Sequence, residues 1–157
     1  MKLRLLAIGR KMPEWVNLGY REYAKRLRQP AQLELVEIAT AAKAANLPAS
    51  QRMQQEAQLL LARAGDNDRL VALDGRGKPW STEVLASRLQ DWMMDGRDVA
   101  LLVGGADGLD GSVREKADHL WSLGPLTLPH PLVRVIIAEQ LYRAVSLNQG
   151  HPYHRGD

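Results

Sequence analysis

Apolar positions along this chain come in two rhythms. Short continuous runs, "LRLLAIG", "RLVALD" and "DVALLVGG", alternate with longer stretches in which apolar residues recur every three or four positions. The runs predict buried strands and the longer stretches predict helices. "KLRLLAIG" reads as a first strand ending at a glycine. "EWVNLGYREYAKRLR" reads as a helix with Trp15, Leu18, Tyr23 and Leu27 inward. "LELVEI", Leu33 to Ile38, alternates apolar and acidic residues, as a strand with one wetter face does. "ATAAKAANLPAS" has small residues and no period and reads as a mobile connection, followed by a helix over 50 to 64.

In the second half "RLVALD" is a short buried strand, and "GRGKPW" is turn chemistry. "STEVLASRLQDWMMDG" has a Ser81/Thr82 cap, Leu85 and Leu89 one turn apart, and a stop at Gly96. "SVREKADHL" is a short helix, "WSLGPLTL" a strand-like segment, and "PLVRVIIAEQLYRAVSL" a final helix with Pro131 at a favoured first position. Continuously apolar strands alternating with helices predict an α/β fold, a mostly parallel sheet with helices on both faces. The length, 157 residues, fits a single domain spanning 1–157.

Composition narrows the chemistry. The absence of cysteine excludes disulfides, zinc–thiolate sites and a covalent thiol mechanism, and suits a cytoplasmic location. The N-terminal apolar run is too short for a signal peptide, and no stretch approaches the ~20 apolar residues of a membrane span. A net charge of +3 permits an anionic partner without requiring one.

In parallel sheets ligands bind beyond the carboxyl ends of the strands. Three such ends stand out: Leu73-Asp74-Gly75, Gly104-Gly105, and Leu123 to Leu128 running into Pro129-His130-Pro131. "VGGADG" lacks the spacing of a dinucleotide loop and the lysine of a P-loop. It is a tight turn, or a place where a ligand approaches the backbone. Asp74 reads first as a turn residue.

The final helix is apolar nearly all round. Ala138, Leu141 and Val145 share the face of Arg134, while Glu139 and Arg143 are set to pair across one turn. Such a helix is covered twice, by its own sheet and by something else, for which a second subunit is the economical choice. Arg134 on an apolar face fits an interface ion pair as well as catalysis. In the tail, "HPYHR" is by default a solvated terminus, although Tyr, His and Arg are the types that contact RNA. His151 and His154 lack the partners of a metal site, so no metal is expected. Arg21, Lys25 and Arg28 form a one-sign stripe that is either a solvated face or an RNA-backbone contact.

"LAIGRKMPEW", "LDGRGKPW", "DGRDVALLVGGADGL", "WSLGPLTLPHPLVRVIIAEQLYRA" and "HPYHR", in this order, resemble the ribosomal RNA large subunit methyltransferase H family of the SPOUT superfamily. The resemblance runs from the first residue to Arg155 and is weakest over 39 to 66. It implies a SPOUT-type α/β trefoil knot within about 70–150, S-adenosylmethionine (SAM) as cofactor, and a homodimer packed through the last helix. It also implies methylation of N3 of a pseudouridine in 23S ribosomal RNA, within the assembled ribosome.

Carried over by position, the cofactor contacts fall on Leu73, Gly104 and the run Leu123, Gly124, Pro125, Leu126, Thr127 and Leu128. Gly124-Pro125 departs from the family's pattern and stiffens that loop, and two residues follow Arg155. The Pro129-His130-Pro131 turn would close the cofactor loop, launch the dimer helix and point His130 and Arg134 at the methyl end. Arg134 and Tyr142, with His154 and Arg155 reaching across from the partner subunit, are the expected catalytic groups. Two other classes fit less of the chain: a non-catalytic ribosome-binding module, and a knotted methyltransferase acting on tRNA.

Overall fold

The computed structural model describes residues 1–40 and 42–155. Five strands form one parallel sheet: β1 (Lys2–Ile8), β2 (Gln32–Ile38), β3 (Arg69–Pro79), β4 (Val99–Val103) and β5 (His119–Ser122), in the order β2-β1-β4-β3-β5. Five helices connect them: α1 (Glu14–Ala24), α2 (Ala49–Arg63), α3 (Thr82–Asp95), α4 (Gly111–Lys116) and α5 (His130–Asn148). Short 3-10 turns lie at Ala42–Asn46 and Pro152–Arg155.

The inner strands are mostly apolar on both sides because both sides are covered. Leu3, Leu5 and Ala7 of β1, with Val71, Leu101 and Trp121, face α1, α3 and α5 through Tyr20, Leu85, Leu89, Trp92, Ile137 and Leu141. The alternate residues Leu6, Ile8, Ala72, Ala100 and Leu102 face α2 and α4 through Ala57, Leu60 and Val113. The α/β class and the doubly covered parallel sheet are therefore as expected.

Helix α3 follows its sequence signals closely. Ser81 caps it, accepting a hydrogen bond from the Val84 backbone N–H at 3.1 Å, and Gly96 ends it in the left-handed region at φ 84°.

Elsewhere the local reading is corrected. In α1 the buried residues are Val16 and Tyr20, whereas Trp15 and Leu18 are 58% and 57% exposed. The helix carries two apolar stripes, and the one expected inward, with Trp15 and Leu18, faces solvent in this chain. Tyr23 is half-buried, and Leu27 is buried beyond the helix end. The connection at 39–50 is not structureless where described: it holds the 3-10 turn and the first residues of α2. Ala41 of that connection, and the two residues after Arg155, lie outside the described residues.

The segment 75–80 is not a plain turn. β3 runs to Pro79, and its pairing with β5 steps from Leu73↔Trp121 to Lys78↔Trp121, so Asp74 to Gly77 leave the ladder as a long bulge. The bulge returns tightly against β5: a Cβ on Gly77 would lie 2.4 Å from the Leu120 carbonyl carbon. The strand expected over 121–128 stops at Ser122, and the rest is loop.

Candidate cofactor cleft

Because the sheet is parallel, the carboxyl ends of its strands share one edge, and the irregular segments gather there. The bulge after Leu73, the glycine loop after Val103 and the loop 123–129 enclose a cleft of about 770 Å³. That is the size of a small-molecule site. All eight expected cofactor residues line it: Leu73, Gly104, Leu123, Gly124, Pro125, Leu126, Thr127 and Leu128. Residues 123–128 are apolar because they wall a cavity, not because they belong to the sheet.

The glycine loop has a steric reason. A Cβ on Gly104 would sit 2.5 Å from the Gly108 carbonyl oxygen, so no larger residue fits as the loop doubles back through the Gly105–Gly108 bridge. Arg52 of α2 holds the loop from outside, its Nε donating to Asp107 at 2.7 Å. The opposite loop is pinned at its start. Ser122 Oγ accepts from the Gly124 N–H at 3.1 Å and donates to the Gly124 carbonyl at 3.2 Å, which holds Gly124 at φ 123°.

Several lining residues carry no signal in the local sequence. Met53 arrives from α2, and Trp121 and Val133 from the core side. Asp74 accepts from the Arg76 N–H at 2.8 Å, as a turn residue does, and also faces Arg114 at 3.6 Å across the cleft wall. Only the tertiary fold brings α4 to that carboxylate.

His130 lines the cleft, and its Nδ1 is buried without a hydrogen-bond partner. Burial, reinforced by the nearby Arg134 charge, lowers its pKa below the usual histidine value, so the ring is neutral at pH 7.

None of the four expected catalytic residues lines the cleft. Arg134 is 1% exposed, with Nη1 on Glu37 at 2.7 Å and Nη2 on the Gly9 carbonyl at 2.7 Å and the Ile8 carbonyl at 3.4 Å, while its Nε is buried without a partner. It is an ion pair within one subunit. Tyr142 packs against Tyr153 at 4.5 Å between ring centroids, with the Arg26 guanidinium 5.5 Å from its ring.

The tail is ordered against its own α5 as far as Arg155. The His151 N–H donates to the Ser146 carbonyl, and the Tyr153 hydroxyl donates to Glu139 at 3.2 Å. Burial and the Glu139 carboxylate push the Tyr153 hydroxyl up to about 12. Glu139 and Arg143 form the expected i, i+4 pair at 2.5 Å. His154 and Arg155 close the 3-10 turn, and Arg155 is exposed.

Two of the three stripe cations are neutralised, Arg21 by Glu14 at 3.3 Å and Lys25 by Glu22, while Arg28 is exposed with no carboxylate partner among the described residues. This favours the solvated-face reading for that helix. Among the described residues there is no cluster of three metal-ligating side chains, and no helix is long and apolar enough to cross a membrane.

Comparison with known proteins agrees with this geometry. The chain is 52% identical over 155 residues to ribosomal RNA large subunit methyltransferase H of Pseudomonas fluorescens, covering 99% of this chain and all of the relative. It is 50% identical to the Pseudomonas putida protein of the same name, with the same coverage.

Among solved structures, a probable methyltransferase from Bordetella pertussis superposes with a TM-score of 0.55 at 18% identity, over 91% of this chain and 95% of that one. A Legionella pneumophila protein, solved with the cofactor SAM bound, superposes at 0.51 and 15% identity over 92% of this chain and 66% of that one. At these identities the superpositions speak for the fold. The family model described as "Predicted SPOUT methyltransferase" matches residues 1–154, and the chain belongs to that family.

Proposed function

We propose that this protein transfers a methyl group from SAM to N3 of a pseudouridine in 23S ribosomal RNA, acting in the cytoplasm as a homodimer on the assembled ribosome. The observation that carries the reading is the cleft: eight residues picked out along the sequence line one cavity at the carboxyl edge of the sheet. The names of the relatives supply the RNA class.

The cleft fits the cofactor by its chemistry. Leu73, Val103, Trp121, Leu123 and Leu128 offer apolar walls, the 123–128 loop offers backbone polar groups, and Gly104 leaves open a cradle that a side chain would fill. When bound, SAM supplies a methyl group activated as a sulfonium. The lining is mixed in charge, Asp74 and Asp107 standing beside Arg76 and Arg114, and the neutral His130 adds no charge to it.

A nitrogen attacking that methyl mainly needs positioning, and the imide proton at N3 must leave. Tyr142 serves that step together with His154 and Arg155, which reach across from the partner subunit. Arg134 contributes indirectly, through the backbone it holds. The threading of the chain into a trefoil knot belongs to the same reading.

Trp15 and Leu18 support the dimer. They flank Gly19, which packs on Val135 of α5, so the exposed apolar stripe of α1 continues the outer face of α5. A second copy would cover both. The substrate is tested by offering labelled SAM with intact ribosomes, naked 23S fragments and tRNA. Incorporation into intact ribosomes well above the other two is expected; equal labelling of naked fragments would overturn ribosome recognition, and labelling of tRNA alone would overturn the substrate.

A further inference from the structure

The loop between β1 and α1, Gly9 to Met12, is tied at both ends and presents two free cations between the ties. At its start the Gly9 N–H donates to the Ile38 carbonyl at 2.8 Å, and the Gly9 carbonyl accepts from Arg134 Nη2 at 2.7 Å. At its end the Met12 carbonyl accepts from Asn17 Nδ2 at 3.4 Å, just before Pro13 caps α1.

Between these ties Arg10 and Lys11 are exposed, and among the described residues neither has a carboxylate partner. Lys11 has φ 58°, the one described non-glycine residue in the left-handed region. A lysine there carries a backbone cost, retained where the surroundings impose it and commonly where the residue has a task.

The loop borders the cleft. A Cβ on Gly9 would lie 3.6 Å from the His130 ring, and His130 lines the cavity. Arg76 of the bulge also lines the cavity, exposed and without a carboxylate partner among the described residues. Arg21, Lys25 and Arg26, by contrast, are spent on Glu14 and Glu22.

We propose that Arg10 and Lys11 form a phosphate-binding loop that grips the backbone of the RNA substrate at the rim of the cleft, with Arg134 as the positioning residue that fixes the loop. The partner follows from charge. Two unpaired cations on a pre-set loop beside the reaction cavity fit the phosphates flanking a target nucleotide, and pre-setting lowers the ordering cost of binding. The inference rests on the RNA reading above.

The test compares wild type with the double variant Arg10→Gln, Lys11→Asn, in which asparagine tolerates the left-handed backbone without the charge. Binding to ribosomes lacking the modification is measured across a salt series. Each lost phosphate contact lowers the slope of log affinity against log salt by about one, so the variant's slope falls by about two. Affinity at moderate salt falls about tenfold or more on the same basis. SAM binding by calorimetry and the melting temperature stay unchanged, and the charge-retaining Arg10→Lys, Lys11→Arg restores the slope. Arg134→Met lowers ribosome affinity without changing the slope as much. Wild-type binding with an unaltered slope in the charge-free variant overturns the phosphate loop alone. No wild-type binding to ribosomes even at low salt overturns the loop and the RNA reading together.

Discussion

Arg134, buried to 1% exposure on α5, donates to the carbonyl oxygen of Gly9 at 2.7 Å and so ties α5 to the loop that follows β1. The same guanidinium holds Glu37 at the end of β2. Arg134→Met leaves these acceptors without their charged donor and is expected to cost about 2–3 kcal/mol, because hydrogen bonds to a charged group are worth about that much. Arg134→Lys keeps the charge but not the fork and should fall between. Denaturant unfolding checks the order; equal stability of all three proteins would contradict the role.

Gly104→Ala places a methyl group where the Gly108 carbonyl oxygen stands, 2.5 Å from the Cβ position. The loop must move, at a cost of about 1–3 kcal/mol, as other overpacked sites do. Since the displaced loop lines the cleft, SAM affinity should fall at least about tenfold, one power of ten for each 1.4 kcal/mol diverted from binding. Titration calorimetry checks this. Unchanged affinity would show that the cofactor does not use this wall.

Acid should weaken the fold through two histidines. His119 and His130 both have pKa values lowered chiefly by burial, with Arg88 and Arg134 respectively adding to the effect. The folded protein then binds protons less readily than the unfolded chain. Their stability contribution is present above about pH 6.5, the unfolded value, and is lost as pH falls through the folded values. Urea midpoints at about pH 7.5 and about pH 5.5 should differ, and His130→Asn should lessen the drop. A larger drop in the variant would reverse the assignment.

Trp15 and Leu18, more than half exposed on α1, are the apolar residues a second subunit would bury. Introducing charge by Trp15→Glu with Leu18→Glu should give a monomer in sedimentation velocity, with little loss of monomer stability because neither residue is in the core. A dimer unaffected by both changes would place the interface elsewhere.

Most of the fold was legible where one pattern had one meaning. The run of β4 is apolar at every position and that of β1 from Leu5 to Ile8, both strands lie inside the sheet, and α3 carries both its caps in sequence. Legibility failed where a tertiary partner decided. The two stripes of α1 are both apolar, and only the packing of Val16 and Tyr20 against the sheet chooses between them. "GRGKP" carries turn residues yet sits in a strand, because β5 is there to pair with Lys78 and Pro79. "LGPLTL" is apolar for the sake of a cavity.

The site divides in the same way. Glycines and prolines at strand ends marked the cleft, since they have no other reason to gather there. The Arg134–Gly9 bond and the Asp74–Arg114 contact join segments far apart in sequence, and no local signal announces them.

The most direct test of the account is nucleoside analysis of 23S RNA after incubating the purified protein, labelled SAM and ribosomes from a strain lacking this enzyme. The account predicts label as N3-methylpseudouridine in 23S RNA, and its loss with Gly104→Ala. SAM bound in the cleft with no labelled ribosomal RNA would contradict the substrate, and failure to bind SAM at all would contradict the cleft itself.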